Sequence, residues 1–158
     1  MKGDATAIKW LNKQLRNELT AINQYYLHAK MYKNWGLEKL GAHEYKESIE
    51  EMQHADKLMD HILMIEGLPN VQDMHKMMIG EDVPECLASD LALEKVGHAD
   101  LKDGIEYCES IRDFVSRDLL TKLLVDTEEH IDFLETQLEL IEKVGLPNYL
   151  QSQMADLG

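Results

Sequence analysis

Carboxylate and imidazole side chains at helical spacing give this sequence the means to bind metal ions. In the stretch IEEMQHAD, Glu51 and His54 are three residues apart, so a helix presents both on one face, within reach of one ion. In LVDTEEHIDF, the residue three positions before His130 is Thr127. A di-iron site in a helical bundle takes one Glu from each of two helices and a Glu-x-x-His pair from each of the other two. The candidate ligands of such a site are Glu18, Glu51, His54, Glu94 and His130.

These candidate ligands follow an internal repeat. The pairs separated by 76 residues are Glu18 with Glu94 and His54 with His130, and the tetrapeptide GLPN recurs after 78 residues. The same repeat matches Glu51 with Thr127, so one of the two Glu-x-x-His pairs lacks its carboxylate. A single such pair also arises by chance on solvated helix faces. The full set favours a metal site, because Glu18 lies between Leu15 and Ile22 on an apolar stripe, where an unpaired carboxylate is costly.

Four long helices are predicted to position these side chains. Apolar residues recur at helical spacing through residues 4–34, 37–66, 83–111 and 113–144, and the first stripe consists of Ile8, Leu11, Leu15, Leu19, Ile22 and Tyr26. Gly36 and the two GLPN stretches are stop signals. The connection 67–82 is long enough to return the chain along a bundle, and a short terminal helix is predicted in NYLQSQMADL, residues 148–157. The predicted fold is all-α: one domain, residues 1–158, forming a four-helix bundle with one long crossover and a short fifth C-terminal helix.

The composition excludes several classes of partner. The formal net charge of −14 argues against nucleic acid and anionic membranes, which both attract basic faces. The acidity suits cation handling, although simple solubility explains it as well. No stretch is apolar enough to span a membrane, and the N-terminus lacks the apolar core of a secretory signal. Two cysteines, Cys86 and Cys108, in a chain of this size predict a reducing, cytoplasmic location.

Motifs along the whole chain resemble those of bacterioferritin, the haem-containing branch of the ferritin-like superfamily. They are MKGD, NELTAINQYYLHA, ESIEEMQHADKLMDHIL, EGLPN, SDLALE, DFVSRDLL and HIDFLETQ. The resemblance implies a ferritin-like bundle and a hollow shell of 24 subunits that stores iron as a ferric mineral. It also implies a ferroxidase centre inside each competent bundle.

The resemblance assigns roles to the candidate ligands. It implies that two irons are held, as metal ligands and catalytic residues, by Glu18, Glu51, His54, Glu94 and His130, with Tyr25 close to the centre. Glu51 and the residue at position 127 would bridge the two irons, and Thr127 departs from the family at this second bridge. The family often carries His and Asp on the inner wall, where this chain has Lys46 and Glu50. An inner-wall iron site is therefore not expected.

Met52 is the candidate haem ligand. On a helix it lies about 100° from Glu51, so it points outward when Glu51 points inward, which by itself indicates a partner interface. The resemblance implies that Met52 residues of two subunits bind one b-type haem across a two-fold axis, with Trp35, Tyr26 and Tyr45 beside it. It also implies electron delivery by a bacterioferritin-associated ferredoxin that docks near Leu68, Glu81 and Glu85.

Thr127 leaves two hypotheses for the centre. In the first, only the iron position of Glu18, Glu51 and His54 binds well, and the chain is a structural and electron-transfer subunit in a mixed shell with a catalytically intact subunit. In the second, the chain is an independent ferroxidase, and Asp126, about 40° around the helix from His130, completes the bridge. Glu128 lies about 160° from His130 and cannot help. A DNA-protecting miniferritin is disfavoured by the long chain, the fifth helix, the ligand set inside the bundle and the acidity.

Overall fold

The computed structural model describes residues 1–156 and contains five helices within that range. They are α1 (Ala5–Asn34), α2 (Glu38–Met64), α3 (Val83–Ser110), α4 (Phe114–Val144) and α5 (Leu146–Ser152). Helices α1 and α2 form one antiparallel hairpin, α3 and α4 form the other, and the hairpins pack mainly through α1 and α3. The predicted all-α bundle with one long crossover and a short fifth helix is confirmed. No helix within residues 1–156 is both long and apolar enough to cross a membrane.

The helix ends follow from local hydrogen bonding. Three helices begin after an aspartate whose carboxylate accepts backbone N–H groups of the first turn: Asp4, Asp82 and Asp113. Helix α1 ends at Asn34, and Gly36 two residues later takes the left-handed conformation, as its stop signal predicted. Helix α2 ends at Met64, two residues before its predicted boundary, because Glu66 takes the left-handed conformation and Gly67 N–H donates to the carbonyl of Ile62.

The crossover between α2 and α3 runs along the length of α1. At its start the carbonyl of Leu68 accepts a hydrogen bond from Asn12 Nδ2 at 3.1 Å, and near its end Gly80 N–H donates to His28 Nε2 at 3.0 Å. Asn12 and His28 are about 24 Å apart along a helix axis. The segment therefore returns the chain to the other end of the bundle, which makes α3 antiparallel to α1.

Apolar clusters fill the two ends of the bundle and leave a polar layer between them. The first cluster includes Leu11 and Leu15 of the predicted α1 stripe, and the second is built around Tyr32. Cys108 belongs to the first cluster and Cys86 to the second, and both are free thiols. Tyr26, predicted to continue the stripe, is 47% exposed. That prediction was wrong because the inward face of α1 becomes polar at mid-height, so the apolar spacing beyond Ile22 follows the outer surface.

Helix α5 closes the end of the bundle beside the second cluster. It begins at Leu146, two residues before the prediction, because Pro147 fits its first turn and Gly145 reverses the chain with φ +83°. Tyr149 is buried and its hydroxyl donates to Gln137 Oε1 at 2.8 Å. The helix ends at Ser152, short of the predicted end, and the predicted residue 157 lies outside the described range.

Candidate metal centre

The polar layer contains the candidate ligands from all four long helices. Each of the five is at most 5% exposed: Glu18, Glu51, His54, Glu94 and His130. Buried charged groups are costly unless they are paired or bind a cation. The apolar clusters above and below exclude water from this layer, so electrostatic interactions within it are strong.

Glu18, Glu51 and His54 form the first set of potential ligands. Their ligand atoms lie within 4.8 Å of one another, and His54 Nδ1 is 3.5 Å from Glu18 Oε2 and 3.5 Å from Glu51 Oε2. Two ligand atoms bound to one metal at about 2.1 Å lie roughly 3–4 Å apart. Within residues 1–156, Glu18 Oε2 and His54 Nδ1 have no hydrogen-bond partner. These unpaired, buried, opposed atoms fit a cation between them.

Asp126 fixes the orientation of His54. Its Oδ2 lies 2.8 Å from His54 Nε2, so the Nε2–H group donates to Asp126 and Nδ1 faces Glu18 and Glu51. Burial opposes the charge on this imidazole, but the carboxylates of Glu18 and Asp126 raise the pKa of His54 to about 9. Asp126 contacts the nitrogen that faces away from the first set, so this geometry makes it a support for His54.

A second set surrounds His130 and shares Glu51 with the first. The ligand atoms of Glu47, Glu51 and His130 lie within 4.8 Å of one another. His130 Nδ1 is 2.8 Å from Glu94 Oε1 and 3.7 Å from Glu47 Oε2. Burial opposes protonation, but Glu94 and Glu47 raise the pKa of His130 to about 9. Glu51 belongs to both sets, so the two groups of potential ligands are adjacent and share this carboxylate.

Tyr25 contacts the second set of potential ligands through a hydrogen bond to Glu94. Its buried hydroxyl donates to Glu94 Oε1 at 2.6 Å, and its ring makes an edge contact with His130, with ring centroids 5.2 Å apart. Burial, together with the negative charge of Glu94, raises the pKa of Tyr25 well above its usual range. The tyrosine therefore stays protonated and restrains Glu94.

Thr127 faces the centre and leaves a gap there. The residue is buried and lines a cavity of about 10 Å³ together with Glu18, Glu51 and Glu94. A volume of this size holds about one water molecule. The threonine hydroxyl offers one neutral oxygen where the family resemblance implies a bridging carboxylate.

Sequence reasoning missed Glu47. Its position four residues before Glu51 was a usable signal, since residues i and i+4 share a helix face. Burial raises the pKa of this half-buried carboxyl, and His130 opposes the rise. A further group of potential ligands consists of Glu50, His54 and Asp126 and lies where the polar layer opens toward solvent. Lys46, the other inner-wall position named above, is exposed.

A separate buried cluster consists of His28, Glu44 and Asp90 and also escaped the sequence analysis. His28 Nδ1 donates to Asp90 Oδ1 at 2.8 Å, while its Nε2 accepts the N–H of Gly80. Both imidazole nitrogens of His28 are thus hydrogen-bonded within the protein. In His54 and His130, by contrast, one ring nitrogen has no hydrogen-bond partner within residues 1–156. Burial, followed by the charge of Asp90, raises the pKa of Glu44 well above its usual range.

The residues assigned to haem binding are all exposed on the outer surface. Met52 is 51% exposed on the outer surface of α2, about 100° around the helix from Glu51, and Tyr45 and Ile49 continue the same exposed apolar stripe. Tyr26 of α1 adjoins Tyr45, with ring centroids 5.9 Å apart. Trp35 is also exposed, near the end of α1.

The residues assigned to ferredoxin docking are exposed but do not form one patch on a single chain. Leu68, 81% exposed, begins the crossover beside Asn12, whereas Glu81 and Glu85 lie at its other end. The crossover spans about 24 Å along α1. The three positions are therefore spread along the crossover of one chain.

Comparison with known proteins agrees with this fold. Residues 8–144 match the family model of the ferritin-like domain. Similar relatives include a bacterioferritin of Mycobacterium bovis, 49% identical over 145 residues (92% of this chain and 91% of the relative). A bacterioferritin of Brucella melitensis is 46% identical over 155 residues (98% and 96%), and a bacterial ferritin of Synechocystis is 47% identical over 156 residues (98% and 100%). These matches confirm the resemblance that the motifs predicted, and the chain belongs to the family of ferritin-like domains.

Proposed function

We propose that this chain stores iron, and that its buried centre binds Fe(II) as a substrate before the iron enters a ferric mineral. The observation that carries this proposal is the pair of ligand sets that share Glu51 inside the bundle. Carboxylate oxygen and imidazole nitrogen are suitable ligands for Fe(II), and anionic oxygen also favours the more highly charged Fe(III). The bacterioferritin names of several relatives support the same role and a shell of 24 copies.

The side chains of the centre favour oxidation of the bound metal. Fe(II) loses one electron to an oxidant such as dioxygen or hydrogen peroxide, and the buried carboxylates stabilise the added positive charge. Asp126 holds His54 with Nδ1 toward the metal, and Tyr25 holds Glu94. Fe(II) must also displace the protons of His54 and His130, whose pKa values are about 9.

Thr127 weakens the second iron position in this proposal. The position of Glu94 and His130 lacks one bridging carboxylate, so its affinity is lower than that of Glu18, Glu51 and His54. This difference supports a mixed shell in which a catalytically intact subunit oxidises most of the iron. A second candidate function, an independent ferroxidase, is favoured by Glu47, whose Oε2 lies 3.7 Å from His130 Nδ1.

Oxidation of Fe(II) by shells of this chain alone tests the proposal. Stopped-flow absorbance should show a slow ferric phase that Glu51→Gln abolishes, because Glu51 belongs to both ligand sets, whereas a rapid phase would support the independent ferroxidase. Glu139→Gln, the same change at an exposed position of α4, should leave the rate unchanged. If the wild-type chain alone shows no rapid phase, it is not an independent ferroxidase. If it also binds no Fe(II), the centre has no part in iron storage.

We also propose that Met52 of two copies holds a b-type haem, which supplies an electron path toward the stored iron when bound. The exposed apolar stripe of Tyr45, Ile49 and Met52 supports this role, since such a surface favours burial against a second copy. Paired thioether ligands require a two-fold axis, because one chain offers one sulfur at this face. Met52→Leu should abolish the Soret band of the purified shell, and Met64→Leu, at another exposed methionine, should retain it.

The proposed electron donor is a bacterioferritin-associated ferredoxin that docks near Leu68, Glu81 and Glu85. Their exposure supports this assignment. Surface plasmon resonance with a [2Fe–2S] ferredoxin should show weaker binding after Leu68→Ala. Binding that is unaffected by changes at all three positions would move the docking surface elsewhere.

A further inference from the structure

We propose that Glu47 is a metal ligand of the second iron position and supplies the carboxylate that Thr127 lacks. This inference rests on the proposed iron-binding function and specifies how the second position remains usable. It concerns a residue that the di-iron pattern of one Glu or one Glu-x-x-His per helix does not include.

The geometry of α2 brings Glu47 to the second position. Glu47 is one helical turn before Glu51, so both side chains leave the same face of the helix. Its side chain is 14% exposed and its Oε2 lies 3.7 Å from His130 Nδ1. That distance falls within the roughly 3–4 Å between two ligands of one metal. Its ligand atom also lies within 4.8 Å of that of Glu51, the shared residue of the two sets.

The charge of the centre requires another carboxylate. Two divalent cations carry four positive charges, whereas Glu18, Glu51 and Glu94 together carry three negative charges. An unbalanced charge in a buried site is expensive, and the neutral hydroxyl of Thr127 contributes nothing to the balance. Ionised Glu47 supplies the fourth negative charge from the side of α2, without occupying the small cavity beside Thr127.

Other nearby carboxylates are engaged elsewhere. Asp126 contacts His54 Nε2 at 2.8 Å, on the nitrogen that faces away from Glu18 and Glu51. Glu50 groups with the same histidine rather than with His130. Within residues 1–156, the group of potential ligands that contains His130 consists of Glu47, Glu51 and His130.

A simpler role for Glu47 is an ion pair. In the absence of metal its carboxylate faces the imidazole of His130, and its other oxygen lies 3.7 Å from His43 Nε2. An ion pair and a metal ligand make different predictions when position 127 changes. A ligand that replaces the missing bridge becomes dispensable once Thr127 is replaced by Glu, whereas an ion pair with a histidine does not.

Titration of metal-free shells with Co(II), followed by its visible absorption, separates these roles. The wild-type chain should bind two Co(II) ions, and Glu47→Gln should weaken the second by at least about 100-fold, as expected for loss of one partner of a buried charge pair. Glu38→Gln, at an exposed position of the same helix, is the matched control and should bind two ions. The double variant Thr127→Glu with Glu47→Gln should recover the second ion.

Each outcome decides the assignment. Two tightly bound ions in Glu47→Gln would overturn it. An equal loss of affinity for the second ion when Glu47→Gln is made with Thr or with Glu at position 127 would overturn it as well. One ion in the wild-type chain would also overturn it but would leave the first position and the proposed function intact, whereas no bound ion would refute both. Circular dichroism and light scattering verify that each shell is folded. If Glu47→Gln does not assemble, Glu47→Asp replaces it and should weaken the second ion while preserving the charge.

Discussion

Replacing Asp126 with Asn should weaken metal binding at the first position, although residue 126 contacts no metal. The carboxylate accepts a hydrogen bond from His54 Nε2–H at 2.8 Å and thereby holds Nδ1 toward Glu18 and Glu51. Losing a carboxylate behind a metal-binding histidine typically costs 10–100-fold in affinity. Asn keeps an acceptor oxygen but loses the charge, so a loss of about 10-fold, near the lower limit, is expected.

Proton competition makes this effect depend on pH. Asp126 is one of the two carboxylates that raise the pKa of His54 to about 9, so at pH 7 the bound metal displaces a proton from His54. Asp126→Asn lowers that pKa and relieves part of the competition. The loss of affinity should therefore be smallest near pH 7 and should reach its full size as the pH approaches 9. The number of protons released on binding at pH 7 should fall in the variant.

Isothermal titration of Co(II) in two buffers of different ionisation enthalpy measures both the affinity and the protons released. Asp132→Asn, an equal change at an exposed position of the same helix, is the control and should match the wild-type chain. Unchanged affinity at both pH 7 and pH 8.5 in Asp126→Asn would refute the orienting role. An unchanged proton count would refute the contribution of Asp126 to the pKa of His54.

Two further predictions concern the fold. Burial, with the charge of Asp90, raises the pKa of Glu44, so the folded chain keeps a proton that the unfolded chain releases above about pH 4.3. The contribution of this proton to the free energy of unfolding is complete below that pH. Above it, the free energy of unfolding falls by about 1.4 kcal/mol per pH unit until the pH passes the pKa of Glu44 in the folded chain. Glu44→Gln should flatten the decline in melting temperature toward alkaline pH, and an equally steep decline would contradict this reasoning. Gly80→Ala should destabilise the fold by about 1–3 kcal/mol, because the added Cβ would clash with the backbone N of Cys86 and lie 2.7 Å from its Cα. Gly97→Ala, whose Cβ meets only ordinary contacts, should unfold at or above the wild-type temperature, and equal melting temperatures for the two variants would refute the steric argument.

The fold was predictable because its signals are local. Apolar spacing, three aspartate caps and a left-handed glycine at position 36 determine most helix ends within a few residues. The apolar spacing of α1 gave a wrong prediction at Tyr26. This spacing shows where apolar residues recur but not that the inward face of the helix becomes polar at mid-height. Helix α5 began earlier than predicted because Pro147, taken as a terminator, also fits the first turn of a new helix.

The second ligand set was harder to predict than the first because it depends on the packing of two helices. Glu51 and His54 are three residues apart on α2, so their proximity follows from helix geometry alone. Glu47 meets His130 across α2 and α4, and their contact depends on the relative height of two helices that are far apart in sequence. The spacing of four residues between Glu47 and Glu51 places Glu47 on the right face of α2, but the sequence does not show that this face meets His130.

The internal repeat shows how the two halves of the centre differ. The repeat that matches Glu51 with Thr127 matches Glu47 with Leu123, which is buried in the first apolar cluster. Helix α2 thus directs two carboxylates into the layer one turn apart, while the corresponding positions of α4 carry a hydroxyl and an apolar side chain. A two-metal centre needs enough negative charge between its ions, and helix geometry allows that charge to come from one helix. The absence of Glu at position 127 therefore predicts an asymmetric centre, with more of its negative charge on α2, and does not by itself predict an empty second position.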